Sequence, residues 1–249
     1  LAIVIVGGFG SYGLARRTLR PIEDFQEAQS RFTSDASHEL RTPLAVMKSE
    51  IELAQRDNAI TKNELRELLK SNLEEVDRLT NLSDTLLKLS KSEHVDIQLS
   101  NQNILDSLER AVRLQTKRAA QTINIISPRK KIIVYGDTVS LVELWTILLD
   151  NAVRFSPKKS IIDISVSVKQ SYAKVVISNS GKGIPKKDIP HLFDRFYRGE
   201  KSHNVATGGY GLGLSLAKNL VNVHKGTIEI TSTPDKTTSV IVCIQAETK

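Results

Sequence analysis

The chain has 249 residues, which is enough for two small domains that each bury a core. Lysine and arginine outnumber aspartate and glutamate by 35 to 28, and the resulting net charge of +7 suits a polyanionic small molecule or an acidic membrane surface. Only 5% of residues are aromatic and no nucleic-acid motif is present, which argues against nucleic acid; the single cysteine, Cys243, excludes an intrachain disulfide and suits a reducing cytoplasm.

The chain begins with an apolar stretch. Residues 1–15 carry no charge, and Arg16, Arg17 and Arg20 follow directly. A spanning helix needs about 20 apolar residues, so we expect residues 1–20 to be the C-terminal part of a transmembrane helix with its basic flank. The basic cluster then places residues after about Arg16 in the cytoplasm, at the inner (cytoplasmic) cell membrane. A buried core helix or a signal peptide is the alternative, although a signal peptide carries its charges before the apolar run.

Two long helical patterns follow. Pro21 opens the first, in which apolar residues recur at threes and fours until a break at Asp57. Thr61 and Glu64 have the capping-box spacing that begins a second helix, which carries a stripe of leucines. The pattern predicts an antiparallel hairpin over residues 21–95, and one hairpin cannot bury both apolar stripes. We therefore expect a homodimer in which two hairpins form a four-helix bundle.

The pattern changes after residue 95, where short β-rich runs alternate with helical stretches. Asp137 stands where a helix N-cap belongs, and the polar segment 199–209 is predicted to be a mobile loop. The alternation indicates a two-layer α/β sandwich over residues 96–249, with a mixed sheet and helices on one face. The predicted strands are 123–126, 131–135, 161–168, 174–178, 227–231 and 239–244, and the predicted helices lie near 103–121, 138–154 and 211–224.

The most informative segment is residues 34–44, SDASHELRTPL. It sets His38 beside the carboxylate of Glu39, with the Thr42 hydroxyl one helical turn further on and Pro43 next. This arrangement suits a protein that carries a phosphoryl group on its own imidazole. A purely structural histidine would leave its neighbours unexplained. Pro43 lacks a backbone N–H and is expected to weaken or kink the helix.

Three clusters in the second domain point to a nucleotide. The first ends a predicted helix, where the Asn151 oxygen suits Mg²⁺, Arg154 suits a phosphate and Phe155 can pack on a base. The other two are glycine-rich and allow close approach of the backbone to a ligand; the third leads into a helix N-terminus, which favours phosphate oxygens. Each cluster alone is weak evidence for a nucleotide site, since an ordinary helix end or a flexible turn can have the same residues. Neither glycine-rich run is a Walker loop. Their members are Asn179, Gly181, Gly183 and Ile184 in the second cluster and Gly209, Gly211, Leu212, Gly213 and Leu214 in the third.

Taken in order, these segments resemble the motifs of membrane sensor histidine kinases of two-component systems. The His38 segment resembles the H-box, Asn151 the second asparagine of the N-box, and Asn179–Ile184 the G1 box. Phe193–Arg198 resembles the F-box, in which Arg198 is expected to contact the nucleotide, and Gly209–Leu214 resembles the G2 box. The resemblance covers nearly everything after Arg20. It implies a HisKA-type dimerisation and phosphotransfer hairpin followed by a Bergerat-type ATP-binding domain.

The resemblance also implies a mechanism. ATP, with Mg²⁺ held through Asn151, would phosphorylate His38, and Glu39 would accept the proton from the other ring nitrogen. The phosphoryl group would then pass to an aspartate of a response regulator, and Thr42 would help to orient water for dephosphorylating that partner. The alternatives are a non-catalytic dimeric nucleotide-binding scaffold and a protein that acts mainly as a regulator phosphatase.

Three features depart from the family pattern. Ile147 stands where the first N-box asparagine is expected, and too few residues separate Arg20 from the H-box for the usual HAMP linker domain. Asn179 stands where an aspartate accepts from the adenine amine. An amide still offers a carbonyl acceptor, but its NH₂ group must also find a partner. We therefore expect a modest loss of nucleotide affinity.

Overall fold

The computed structural model describes residues 2–57, 59–91, 98–116, 119–199 and 209–247. The chain forms two compact units, the first ending at Asn81 and the second beginning at Leu82. The domain limits 1–20, 21–95 and 96–249 follow the sequence pattern and stay predictions.

The first unit is built on two long helices. Helix α1 spans Ala2–Arg56 and helix α2 spans Lys62–Lys91, of which the part beyond Asn81 belongs to the second unit. The sequence predicted that a helix begins at Pro21. In the structure α1 begins earlier and continues through both Pro21 and Pro43. A proline removes only one i→i−4 hydrogen bond, and the neighbouring bonds of a long helix can hold it in place. Within the described residues, none of the helices combines the length and the apolar character that a membrane span needs.

The connection between α1 and α2 confirms the predicted capping box. The backbone N–H of Thr61 donates to Glu64 Oε2 at 2.8 Å, and the backbone N–H of Glu64 donates to Thr61 Oγ1 at 3.3 Å. These reciprocal bonds satisfy donors that a helix start leaves unpaired. Because the bonds from the Thr61 backbone and hydroxyl favour the carboxylate, the pKa of Glu64 is lowered.

A polar contact joins the two helices inside the first unit. The Asn72 amide donates to Glu50 Oε2 at 3.2 Å and to the Leu68 carbonyl at 3.0 Å. Around it, many large apolar side chains of the hairpin are left exposed on this single chain: Leu44, Val46, Ile51, Leu53, Leu65, Leu69, Leu73 and Val76.

The second unit is the predicted α/β sandwich with a mixed sheet. Its elements are β1 (Ser100–Asn103), α3 (Ile104–Thr116), β2 (Thr122–Ile126), β3 (Ile133–Gly136), α4 (Thr138–Phe155), β4 (Ile161–Lys169), β5 (Tyr172–Ser180), α5 (Gly213–Val223), β6 (Thr227–Thr233) and β7 (Thr237–Gln245). Five of these strands form one sheet in the order β2-β4-β5-β7-β6, with β2 parallel to β4 and every other pair antiparallel. A separate antiparallel pair joins β1 to β3.

Helix α4 forms the centre of the core. Trp145 is fully buried, and its indole N–H donates to Ser107 of α3 at 2.9 Å. The residues of β4 alternate, with Ile162 and Ile164 buried and Ser165 exposed, so the helices cover one face of the sheet. The remaining fully buried side chains of α4 are Leu141, Leu144, Leu148 and Leu149.

A buried histidine ties the start of α4 to the end of α5. Asp137 is the N-cap of α4, as predicted, and accepts from the Ser140 N–H at 2.7 Å. The Asp137 N–H donates to His224 Nε2 at 3.1 Å, and His224 Nδ1 lies 2.7 Å from the Leu220 carbonyl. Since Nε2 accepts, Nδ1 carries the hydrogen and donates. Nε2 therefore links the two helices, while Nδ1 holds the ring against α5.

Candidate functional site

The predicted phosphotransfer residues lie on α1 in the first unit. His38 and Thr42 are both exposed and Glu39 is half-buried, so the i, i+4 spacing brings His38 and Thr42 to the solvent side together. The Thr42 hydroxyl donates to the His38 carbonyl at 3.3 Å. Pro43 is buried and α1 does not end there; a bend at this point stays a prediction.

The last two turns of α4 carry the first nucleotide cluster. Asn151 is half-buried, while the Phe155 side chain is 53% exposed and free to pack against a planar group. The Arg154 guanidinium forms an ion pair with Asp150 at 3.0 Å. Ile147 lies one turn before Asn151, and a β-carbon on Gly213 would lie 3.4 Å from its Cγ2 atom. An apolar side chain at 147 therefore packs against the start of α5.

Asn179 stands at the end of β5, buried to 6% exposure. Its amide nitrogen donates to the Ser180 carbonyl at 3.1 Å, so one N–H of the NH₂ group has a partner in the protein. Two residues later, a β-carbon on Gly181 would lie 2.5 Å from the Phe155 carbonyl oxygen. The first two nucleotide clusters therefore meet.

The rest of the second cluster is fixed by the β6–β7 hairpin. Gly183 has φ +67°, and a β-carbon there would lie 2.7 Å from Pro234 Cα. The Ile184 N–H donates to Ser232 Oγ at 2.9 Å, and the Gly181 N–H donates to the Lys236 carbonyl at 3.2 Å. Sequence reasoning missed this support. The turn-forming run Thr-Pro-Asp-Lys at 233–236 was the available signal.

The third cluster meets the F-box segment. The Phe196 N–H donates to the Gly211 carbonyl at 3.1 Å. Gly211 has φ +71°, and a β-carbon there would lie 2.7 Å from the Phe196 carbonyl carbon and 2.7 Å from the Tyr197 carbonyl oxygen. Only glycine fits this approach without strain. Arg198 is half-buried just beyond, and the predicted mobile loop falls mainly on residues 200–208, outside the described residues.

The third cluster also meets the first, because a β-carbon on Gly209 would collide with the Arg154 guanidinium. Leu212 is buried at the N-cap of α5, and Gly213 and Leu214 form the first turn, two residues after the predicted start. Among the described residues, no side chain caps this helix start. A helix N-terminus of this kind favours an anion.

Two family descriptions match the chain. The "His Kinase A (phospho-acceptor) domain" matches residues 28–95, and the "Histidine kinase-, DNA gyrase B-, and HSP90-like ATPase" matches residues 136–248. Sensor protein CiaH of Streptococcus pneumoniae serotype 4 is 34% identical over 263 aligned residues, which cover all of this chain and 58% of CiaH. The chain thus spans little more than half the length of that relative.

Solved structures share the fold. The Acinetobacter baumannii histidine kinase AdeS has a TM-score of 0.68 and 24% identity, covering 85% of this chain and 98% of that one. The histidine kinase ThkA, in complex with the response regulator protein TrrA, has a TM-score of 0.73 and 16% identity, covering 95% of this chain and 66% of that one. The two family regions in sequence, the CiaH similarity and the shared fold lead to one conclusion: the chain belongs to the sensor histidine kinases of two-component systems.

Proposed function

We propose that this chain transfers the γ-phosphoryl group of ATP to His38 and then to an aspartate of a response regulator. The observation that carries the proposal is the meeting of the three nucleotide clusters in the second unit, where Phe155 contacts Gly181 and Arg154 contacts Gly209. An exposed histidine beside a carboxylate, on a separate helical hairpin, supplies the acceptor.

The residues of the second unit fit an adenine nucleotide. The Asn179 oxygen accepts from the adenine amine, with the exposed Phe155 ring beside the base. Gly181, Gly183 and Ile184 bring backbone close to the ligand. The phosphates lie at the start of α5, near Arg154. The remaining contacts in this proposal come from Arg198, Gly209, Gly211, Leu212, Gly213 and Leu214.

The chemistry at His38 is a substitution at phosphorus. One ring nitrogen forms a bond to the γ-phosphorus while the bond to the β–γ bridging oxygen breaks, and ADP leaves. Glu39 accepts the proton from the other ring nitrogen as positive charge builds on the ring. Asn151 would supply an oxygen ligand for Mg²⁺, which would offset charge on the phosphates. Thr42, exposed on the same side as His38, orients water for dephosphorylating the regulator.

We also propose that the working form is a homodimer. The exposed apolar side chains include Leu53 at 68%, Leu69 at 59% and Leu73 at 62%, all on the hairpin. A continuous apolar surface on a soluble helix pair favours association. Two hairpins that pair through these faces form a four-helix bundle.

The N-terminal part of α1 is proposed to anchor the protein to the inner cell membrane, with residues after about Arg16 in the cytoplasm. This proposal rests on the uncharged run of residues 1–15 and the arginines that follow it.

Incubation of the full chain with γ-labelled ATP and Mg²⁺ tests the proposed activity. We expect acid-labile label on the protein and its transfer to a response regulator. A nucleotide-binding scaffold would bind ATP and take up no label. A phosphatase-dominant protein would label weakly and remove phosphate from a phosphorylated regulator.

A further inference from the structure

Gln121 holds the end of helix α4 from outside that helix. It stands immediately before β2, and its amide nitrogen donates to the carbonyls of Val153 at 3.1 Å, Ser156 at 3.3 Å and Pro157 at 3.3 Å. The last turn of a helix leaves carbonyls without α-helical partners; here the Val153 carbonyl also accepts from the Ser156 N–H, and the Pro157 carbonyl also accepts from Ser160. Gln121 therefore caps the C-terminus of α4 with one side chain that comes from a distant part of the sequence.

The other end of the same side chain is unsatisfied. Gln121 Oε1 is buried and, among the described residues, has no hydrogen-bond partner. Buried acceptors are rarely left unpaired, because they lose their bonds to water. The amide is therefore used for its N–H groups alone, and flipping it would place its oxygen against three carbonyls.

The helix end that Gln121 holds is the one that reaches the second nucleotide cluster. Phe155 lies between Val153 and Ser156, and its carbonyl oxygen contacts Gly181. The sheet register places Ile123, two residues after Gln121, in one row with Ile162 and Asn179. Gln121 thus lies at the end of the sheet that carries Asn179. Any shift of the last turn of α4 would therefore change the position of the Phe155 carbonyl oxygen relative to Gly181.

We propose that Gln121 is a positioning residue for nucleotide binding, which it serves by fixing the last turn of α4 against the loop at Gly181. This inference rests on the proposed function, in which the second unit binds ATP. Gln121 does not touch the ligand; it acts through Phe155 and Gly181.

Gln115 provides a matched control. Gln115 is buried, whereas Gln121 is half-buried, and it too donates from its amide nitrogen to a carbonyl of α4, that of Thr146 at 3.4 Å. Thr146 lies in the middle of the helix, nine residues before Phe155. Losing this bond removes a similar interaction without releasing the last turn.

The experiment measures the dissociation constant of a non-hydrolysable ATP analogue, with Mg²⁺, by calorimetry on the full chain, together with thermal unfolding. Gln121→Met keeps the length of the side chain and removes its donors; we expect binding about tenfold weaker, equivalent to about 1.4 kcal/mol. Gln115→Met should lower the unfolding midpoint as well, yet change the dissociation constant by no more than about twofold. Gln121→Lys should restore binding, since its ammonium group donates to the same carbonyls at a helix C-terminus.

Equal affinity in Gln121→Met and the unmodified chain would overturn the proposal, and so would equal weakening in Gln115→Met. Failure of Gln121→Lys to recover affinity over Gln121→Met would overturn it too. If Gln121→Met does not fold, Gln121→Asn takes its place. This variant keeps the amide on a shorter side chain and should also bind the analogue about tenfold more weakly than the unmodified chain. Absence of binding by the folded, unmodified chain would overturn the ATP site itself, which distinguishes the two failures.

Discussion

The carbonyl oxygen of Phe155 lies 2.5 Å from the position that a β-carbon on Gly181 would occupy. No side chain fits there unless backbone moves, because the obstructing atom belongs to the main chain. Residue 181 is thus a glycine for a reason of space, and the contact joins the end of α4 to the loop after β5.

Gly181→Ala should therefore weaken binding of an ATP analogue by at least about tenfold, since the loop must leave α4. Gly209→Ala is the comparison, because its β-carbon would meet only the end of the Arg154 side chain, which can swing away. Calorimetry should show the smaller loss for Gly209→Ala. The reverse order would contradict the role given to the Phe155 contact.

His38→Ala should abolish phosphate incorporation from γ-labelled ATP while leaving binding of the ATP analogue intact, because His38 lies in the first unit and the nucleotide residues in the second. Glu39→Gln should retain binding and slow labelling by roughly 10²–10⁴-fold, the usual range for loss of a general base. Label that survives in His38→Ala, on serine or threonine, would refute the assignment.

Asn179→Ala should weaken nucleotide binding, because the adenine amine loses its acceptor. Asn179→Asp has two opposed effects: a charged acceptor contributes about 1.5–3 kcal/mol against about 1 kcal/mol for a neutral one, while the donor to Ser180 is lost. We expect Asn179→Asp to bind the nucleotide as well as the unmodified chain or more tightly. Weaker binding by Asn179→Asp than by the unmodified chain would show that losing the bond to Ser180 outweighs the gain from a charged acceptor.

Leu69→Glu combined with Leu73→Glu should convert the chain to a monomer, since both exposed leucines lie on the hairpin face proposed to pair. Light scattering at micromolar concentration measures the mass. Leu114→Glu, at a similarly exposed leucine on α3 of the second unit, should leave the dimer intact. An unmodified chain that is already monomeric would remove the basis of the four-helix bundle.

The lowered pKa of Glu64 gives a pH dependence with a definite sign. A carboxyl group whose pKa is lower in the folded chain stabilises it above its unfolded pKa, and this contribution disappears as the pH falls through the folded pKa. Glu64→Ala should therefore lower the unfolding midpoint slightly at pH 7 and not at acid pH. A difference that persists after Glu64 is protonated would show that the capping box is not its source.

Sequence patterns predicted the elements whose formation depends mainly on residues close together in the sequence. Six of the seven strands in the described part of the chain, the capping box at Thr61 and the N-cap at Asp137 all have local signals, and the structure confirms them. Strand β1, Ser100–Asn103, was missed because its polar residues show no alternation. It exists because β3 pairs with it.

Contacts between distant residues could not be predicted in this way. His224 meets Asp137 across 87 positions, and Gln121 meets Val153 across 32. Neither residue type has a periodic signal, and each one's role depends on which backbone groups the fold brings near. The nucleotide clusters were recognisable in the sequence because glycine and asparagine recur at fixed spacings. The support that Ser232 and the β6–β7 turn give to the second cluster could not be recognised in this way.

Helix α1 has a mechanical consequence. At 1.5 Å per residue, its 55 residues make a rod of roughly 80 Å, of which roughly 54 Å separates Ala2 from His38. Because the helix is continuous between these two residues, a rotation of its N-terminal part about the helix axis would also turn the face that carries His38. The direction in which the proposed phosphoryl acceptor faces would then depend on the orientation of the far end of the helix.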